Sequence, residues 1–288
     1  MKILLTGASG FIGRNVAAAL VAAGHRVIPV SRRSGVDFRD MLAVGDWLPH
    51  LAGVEAVINA VGIIGESAGQ RFACLHAQAP LALFQACAEA GVRRVIQISA
   101  LGTDDTAFSA YHRSKRLADD GLRRLDLDWF VLRPSLIYGR GGGSAELLMR
   151  LARWPWLPVP GDGRQTIQPV HIGDVVASVR HALVSPDVRR SLDILGRESF
   201  TFGDWLQTMR QAQGLPPAPF LRIPLPLARL SCRIGRHFTA LLQPENLQML
   251  QTGYQADYRP WATWLGRLPL PVEPGLFFSD AAMARSSS

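Results

Sequence analysis

The sequence predicts an α/β fold, a doubly wound parallel sheet with a smaller C-terminal substrate or cap domain. Two observations carry that expectation. Short, mostly apolar runs, as strands covered on both faces should be, alternate with helical stretches from the first third of the 288 residues on to about residue 134. A glycine-rich turn, TGASGFIG, separates the first such run from the first helical stretch.

The elements follow in order. KILLTG reads as a strand ending in glycine, and Phe11 to Ala23 as an alanine-rich helix. RVIPVS (26–31), AVINAV (56–61), RVIQIS (94–99) and WFVLRP (129–134) are further strands. Pro80 to Ala90 and Ser109 to Leu125 are helical in pattern. Only residues 32–53 lie between the second strand and AVINAV, with one helix expected around Met41 to Leu51, so the third strand is a stub near Val36–Phe38 or is missing. After residue 140 glycine and proline become frequent (GRGGGS, WPWLPVPGDGRQ, GLPPAPF) and the alternation fades. SLDILG (191–196) restores a strand, and TFGDW opens a helix with Thr201 as its N-cap. A dinucleotide-binding domain is therefore expected over 1–160, its sheet completed by about 168–196, with 197–288 as the smaller region.

Composition narrows the class. Apolar residues at 48% and charged residues at 19% suit a folded globular chain. The apolar run in MKILLTGASG is too short for a signal peptide, and no stretch approaches the ~18 apolar residues of a spanning helix, so a cytoplasmic protein is expected. Cys74, Cys87 and Cys232 lack metal-ligand spacing, and no metal is expected. The charge of +8 fits a solvated basic surface or an acidic partner. Basic residues are not interleaved with aromatic ones and there is no zinc-finger spacing, which argues against nucleic acid. Nothing in the pattern fixes an oligomeric state.

The glycine turn points to a dinucleotide. Gly7, Gly10 and Gly13 permit a tight turn, a close backbone approach to pyrophosphate and close packing of helix on strand. Ser9, Phe11 and Ile12 complete the cofactor loop, where the helix N-terminus offers free N–H groups to phosphate. At the end of the second strand, where an acid would hold the ribose of NAD, the chain reads Ser31-Arg32-Arg33. Two guanidinium groups there favour the extra phosphate of NADP(H), with NAD(H) kept open because Asp37 follows closely. Asn59 and Ala60, after a later strand, are further expected cofactor contacts.

YHRSK raises the question of chemistry. The chain has 31 basic residues, yet only Lys2 and Lys115 are lysines, and Lys115 lies four residues after one of four tyrosines. Tyr111 and Lys115 therefore share a helix face. A tyrosine titrates near 10, and an adjacent ammonium is expected to lower that value and make it an acid/base at neutral pH. Ser99 falls at the carboxyl end of a strand, where ligands of open α/β sheets bind, and its hydroxyl could hold a substrate oxygen.

Together TGASGFIG, NAVG, ISALG, YHRSK, LRPSLIYG and PVHIGDV resemble, in order, the short-chain dehydrogenase/reductase superfamily over about residues 1–210. The likeness is strongest to its extended and atypical branch, which includes nucleotide-sugar epimerases and dehydratases. The resemblance implies a Rossmann-type domain in which Tyr111 is the catalytic acid/base, Lys115 its partner and Ser99 the orienting hydroxyl. It also implies Pro134 and Ser135 beside the nicotinamide, and a structural Asp174 bridging to the second domain. Only eleven residues separate Ser99 from Tyr111, so the substrate loop is short. The tail (IPLPLARL, LQPENLQML, WLGRLPLPVEPGL) is similar to the nucleotide-binding accessory subunit of respiratory complex I, in which the cofactor is largely structural.

Three functions stay open: a hydride-transferring oxidoreductase acting on a small carbonyl or alcohol, a sugar-nucleotide epimerase or dehydratase, and a non-catalytic cofactor-binding accessory protein. For the second, Arg140 and Arg164 are the candidate diphosphate contacts. For the third, Arg229, Arg233 and Arg236 share one face of a helix over Pro226 to Leu242, a surface suited to an anionic membrane or a membrane-bound protein.

Overall fold

The computed structural model describes residues 1–67, 69–235, 243–253 and 255–281, with the backbone alone for 233–235. The chain divides into two compact units, Met1–Pro134 with Val175–Ile194, and Ser135–Asp174 with Leu195–Ser288. It leaves the first unit at Pro134, where the sequence reading ran on to residue 160, because the glycine- and proline-rich stretch beyond adds nothing to the main sheet.

Unit one holds β1 (Lys2–Thr6), α1 (Phe11–Ala22), β2 (Arg26–Val30), α2 (Val44–Trp47), β3 (Ala56–Asn59), α3 (Ala79–Glu89), β4 (Arg94–Ile98), α4 (Ala110–Arg123) and β5 (Asp128–Pro134). The chain then makes β6 (Ile137–Tyr138), α5 (Gly143–Leu151), β7 (Leu157–Pro160), β8 (Thr166–Ile167) and β9 (Val170–His171) in unit two. It returns through α6 (Ile172–Val184) to β10 (Arg190–Ile194). Unit two resumes with β11 (Phe200–Thr201), α7 (Phe202–Ala212), β12 (Phe220–Ile223), α8 (Leu225–Gly235), α9 (Pro244–Thr252) and α10 (Arg259–Leu265).

The main sheet runs β10-β5-β4-β3-β1-β2 with every pairing parallel. Alternate residues Leu4, Val57, Val95 and Val131 enter one core with Trp47, Leu83 and Leu122, while Ile3, Leu5, Ile58 and Ile96 are fully buried on the other face. That two-sided burial is why the strands read as unbroken apolar runs. Order reverses at β1, which lies between β2 and β3, and ligands of such sheets bind beyond the strand ends at this switch.

Of the two outcomes left open for the third strand, the structure takes absence. Residues 32–53 form 3₁₀ turns at Arg32–Ser34, Phe38–Asp40 and Leu48–Leu51 around α2, with no strand. Phe38, Met41, Trp47 and Leu51 all enter the core, a spacing with no period of two, and Trp47 Nε1 donates to Met41 O at 3.0 Å.

In unit two the strands make short pairs, β6–β9 and β7–β12 parallel and β8–β11 antiparallel. Its core gathers Tyr138, Trp205, Met209 and Phe277. Thr201 caps α7 as expected, accepting from the Asp204 N–H at 3.1 Å. Asp174 is fully buried and accepts from Arg267 at 2.6 Å and from the Leu270 N–H at 3.0 Å. Of the helix expected over Pro226 to Leu242, α8 covers the first part. Arg236, Phe238, Leu241 and Leu242 lie outside the described residues, as does the Arg233 side chain.

Candidate functional site

The glycine loop joins β1 to α1 at the switch point. Gly7 has φ +67°, and a Cβ on it would stand 2.6 Å from Ala60 O, so the loop lies against the backbone that follows β3. A Cβ on Gly13 would come within 2.1 Å of Gly7 O. The Gly10 N–H donates to Gly7 O at 2.9 Å, closing the turn. Gly10 is also the N-cap of α1, with no side chain capping it and no acid in the first turn. The N–H groups of Phe11 and Ile12 are thus left for a ligand, and the dipole end is not neutralised. A pyrophosphate-bearing cofactor fits this cradle.

At the end of β2, Arg32 and Arg33 are exposed in the turn Arg32–Ser34, and Ser31 and Ser34 bond each other across it at 2.8 Å. Asp37 follows, gripped by Arg39 at 2.7 Å. The Arg39 hydrogen bond holds its carboxyl below the usual range against the opposing effect of burial, and the charge of Arg32 adds to that.

Helix α4 carries Tyr111, Lys115 and Asp119 at successive i, i+4 positions, and hence on one face. Ser109 caps the helix by accepting from the His112 N–H at 3.1 Å. Lys115 is buried, its Nζ donating to Ile98 O at the end of β4 at 2.9 Å. A Cβ on Gly62, after β3, would be 3.4 Å from the same Nζ, so this lysine reaches the ends of both strands. Burial pushes its ammonium down to about 8, with Asp119 opposing. The expected lowering of the Tyr111 phenol is not what the geometry produces. Burial first, and then the charge of Asp119, push it above its ordinary value.

Ser99 turns inward. It is buried, and its Oγ donates to Asp119 Oδ2 at 2.5 Å while standing 3.1 Å from Thr103 Oγ1. The hydroxyl expected to meet a substrate is spent on a carboxylate instead. Burial raises Asp119 to about 6, with the Ser99 bond and the Lys115 charge opposing. Asn59 is buried too. It accepts from Thr6 at 2.5 Å and donates to Gln97 at 2.7 Å, and the Val61 N–H reaches its Oδ1 at 3.3 Å. It thereby fixes the path of the loop that carries Ala60 and Gly62.

Sequence reasoning missed His76. It sits in a π-helical turn, Ala73–Gln78, directly before α3. Its Nε2 accepts from the Ile63 N–H at 3.0 Å, which puts the proton on Nδ1, 3.0 Å from Ser114 Oγ. Ser114 in turn donates to Tyr111 O at 2.8 Å. Burial, then the Lys115 charge, hold His76 well below its ordinary value, so the ring is neutral. Phe72 stacks on it at 5.1 Å, and both rings meet Tyr111 edge-on. A histidine beside YHRSK in space, 35 residues away in sequence, left no local pattern to find.

Pro134 ends β5, its carbonyl accepting from the Leu101 N–H at 3.0 Å. Ser135 begins unit two and donates to Gln168 O at 2.5 Å. In that unit Arg140, Arg150 and Arg153 line an open cavity of about 500 Å³, while Arg164 stands exposed after the Gly161–Gly163 turn. Among the described residues no helix is long and apolar enough to cross a membrane.

A model of the NAD dependent epimerase/dehydratase family matches residues 3–194. The ceramide reductase of Caulobacter vibrioides (strain NA1000 / CB15N) is 29% identical over 78% of this chain and 74% of that protein. The Mus musculus NADH dehydrogenase (ubiquinone) 1 alpha subcomplex subunit 9, mitochondrial, is 28% identical over 77% of this chain, which spans only 63% of its length. The human epimerase family protein SDR39U1 is 28% identical over 90% of this chain and 96% of that one. Among solved structures, MoeE5 in complex with UDP-glucose and NAD superposes with a TM-score of 0.73 at 22% identity, covering 100% of this chain and 99% of that one. The Bacillus cereus UDP-glucuronic acid 4-epimerase, with UDP-glucuronic acid and NAD, gives 0.71 at 17% identity and covers 100% of both chains. These likenesses show the fold.

They also correct the expectation of NADP(H). Both neighbours hold NAD, and each does so again when solved with a different ligand set. The reading from Arg32 and Arg33 gave more weight to the two guanidinium groups than to Asp37, which had kept NAD(H) open. With the third strand missing, Asp37 comes within electrostatic reach of Arg32, so an acid is present after all.

Proposed function

We propose that this chain, which belongs to the NAD dependent epimerase/dehydratase family, binds NAD at the β1–α1 loop and acts on a hydroxyl-bearing carbon of a sugar nucleotide. The observation that carries the reading is the placement of Lys115. One buried ammonium joins the end of β4 to the loop after β3, one helical turn from Tyr111 and beside the switch point where Gly7 meets Ala60.

NAD bound there would supply a reversible acceptor for a hydride from that carbon. Gly7, Ser9, Gly10, Phe11, Ile12 and Gly13 would hold its pyrophosphate, Ser31, Arg32 and Arg33 the adenosine end, and Asn59, Ala60, Pro134 and Ser135 the remaining edges. Tyr111 is the acid/base. Burial and Asp119 keep its proton in place at neutral pH, which suits donation to a developing alkoxide. Removal of a hydroxyl proton needs the phenolate, which the Lys115 charge favours and that of Asp119 opposes. Ser99 orients Asp119 on this face and supports the pair.

Incubating the protein with NAD and UDP-sugars tests the reading. An epimerase or dehydratase changes the sugar with no net formation of NADH. No product from any UDP-sugar, together with steady NADH consumption on ketones, would replace it with a net reductase, the reading that the ceramide reductase relative favours. Several relatives are named as subunits of mitochondrial NADH dehydrogenase, which supports contact with a membrane-bound partner as a further role.

A further inference from the structure

Unit two carries an apolar surface that the chemistry above leaves unused. Strand β7 pairs in parallel with β12, Pro158 opposite Leu221 and Pro160 opposite Ile223, and these four residues share one face of the ribbon. On β7 the alternate residues are core, Leu157 and Val159 being fully buried with Phe202 and Leu206, whereas their partners on β12, Phe220 and Arg222, are exposed. Two residues before Pro158 stands Trp156, and two before that Trp154, with relative exposures of 59% and 54%. Leu221 is exposed as well, as are Leu227 and Leu230, three residues apart on α8. The start of α8 lies against the end of β7, since a Cβ on Gly161 would be 3.5 Å from Leu225.

Charge singles out the occupant. No aspartate or glutamate occurs between Glu146 and Asp162, or between Asp204 and Glu245, the two segments that meet at this ribbon. Those segments hold Arg150 and Arg153, and Arg222 and Arg229, all four exposed. Glu146 and Asp162, both exposed, bound the first segment, while every charge inside the two segments is positive, which suits an anionic partner. Indole rings with leucines and arginines match the boundary of an anionic bilayer, where the rings sit at headgroup level and the guanidinium groups meet phosphate.

We propose that the β7–β12 ribbon, with Trp154, Trp156 and the exposed leucines of α8, is a docking surface for an anionic lipid membrane. It binds at the surface without spanning. The proposal uses none of the residues proposed to hold NAD.

Co-sedimentation of the full chain with vesicles tests it. Wild type should pellet with vesicles containing phosphatidylglycerol, stay in solution with pure phosphatidylcholine, and release as salt rises, because screening shortens the reach of the arginines. The Trp154→Ser/Trp156→Ser variant should bind at least about tenfold more weakly, since it loses the buried indole area. Both rings are largely in water, so its circular dichroism and melting curve should match wild type; Leu221→Ser should weaken binding in the same direction and serves if the double variant misfolds. Protein that stays in solution with anionic vesicles at low salt overturns the proposal and leaves a protein partner for the surface. Variants that pellet like wild type overturn its placement.

Discussion

Ser99 Oγ donates a 2.5 Å hydrogen bond to Asp119 Oδ2, and the other oxygen of that fully buried carboxylate has no hydrogen-bond partner among the described residues. A carboxylate so placed resists ionisation, which is why burial carries it to about 6. The consequence for stability has a definite sign. From the ordinary aspartate value of 3.8 up to about 6 the folded chain holds a proton on Asp119 that the unfolded chain has lost. This group therefore makes stability fall as pH rises through that window.

The first prediction isolates that effect. His76, His112 and His171 are all held below their ordinary values, chiefly by burial, so each pulls the other way and favours folding as pH rises. Asp119→Asn keeps the shape and removes only the carboxylate. The difference in unfolding free energy between variant and wild type should grow in the variant's favour from pH 4 to pH 6, by on the order of 2–3 kcal/mol. Urea titrations at several pH values measure it. A flat difference would mean that Asp119 is ionised throughout.

Gly13→Ala should damage the cofactor loop. The added Cβ meets the Gly7 carbonyl, which is backbone and cannot swing aside. A cost of about 1–3 kcal/mol in stability is expected, together with weaker NAD binding, read by calorimetry. Gly45→Ala in α2, where nothing lies within 4 Å of the new Cβ and φ is not positive, controls for the general effect of substituting a helical glycine.

His76→Phe keeps a ring between Phe72 and Tyr111 but removes the acceptor of the Ile63 N–H and the donor to Ser114. A loss of about 1–3 kcal/mol in denaturant titrations is expected from the unpaired groups. Turnover should fall further than Ser114→Ala alone reduces it, because the loop after β3 is freed as well. Equal effects from the two variants would place the role of His76 in Ser114 alone.

How much of this was legible depends on how local each signal is. The glycine loop and YHRSK each fit within one element and its flank, so spacing alone revealed them. Asp119 could have been found by the same i, i+4 step that joined Tyr111 to Lys115, taken once more along α4. The inward turn of Ser99 could not, since it depends on α4 packing over the end of β4. Asp37 was legible as the residue that kept NAD(H) open, but its grip by Arg39 and its closeness to Arg32 follow from the turns that residues 32–53 form in place of a third strand.

The last prediction separates the two residues that opened the question of chemistry. Tyr111→Phe removes the hydroxyl and little else, since the ring keeps its edge contacts with Phe72 and His76. It should cut turnover by about a hundredfold to ten-thousandfold and leave NAD affinity near wild type. Lys115→Met should lower both, because the same ammonium supports the phenol and lies against the loop after β3, where the cofactor is proposed to bind. The pH dependence supplies the sharper test. Lys115 is charged below about 8, so if activity needs the cation, kcat/KM should fall as pH rises through that value. In Lys115→Arg, where the charge persists to far higher pH, any residual activity should lose that falling limb. A limb that survives in the arginine variant would assign the titration to another group, and with it would go the case for Lys115 as the partner of Tyr111.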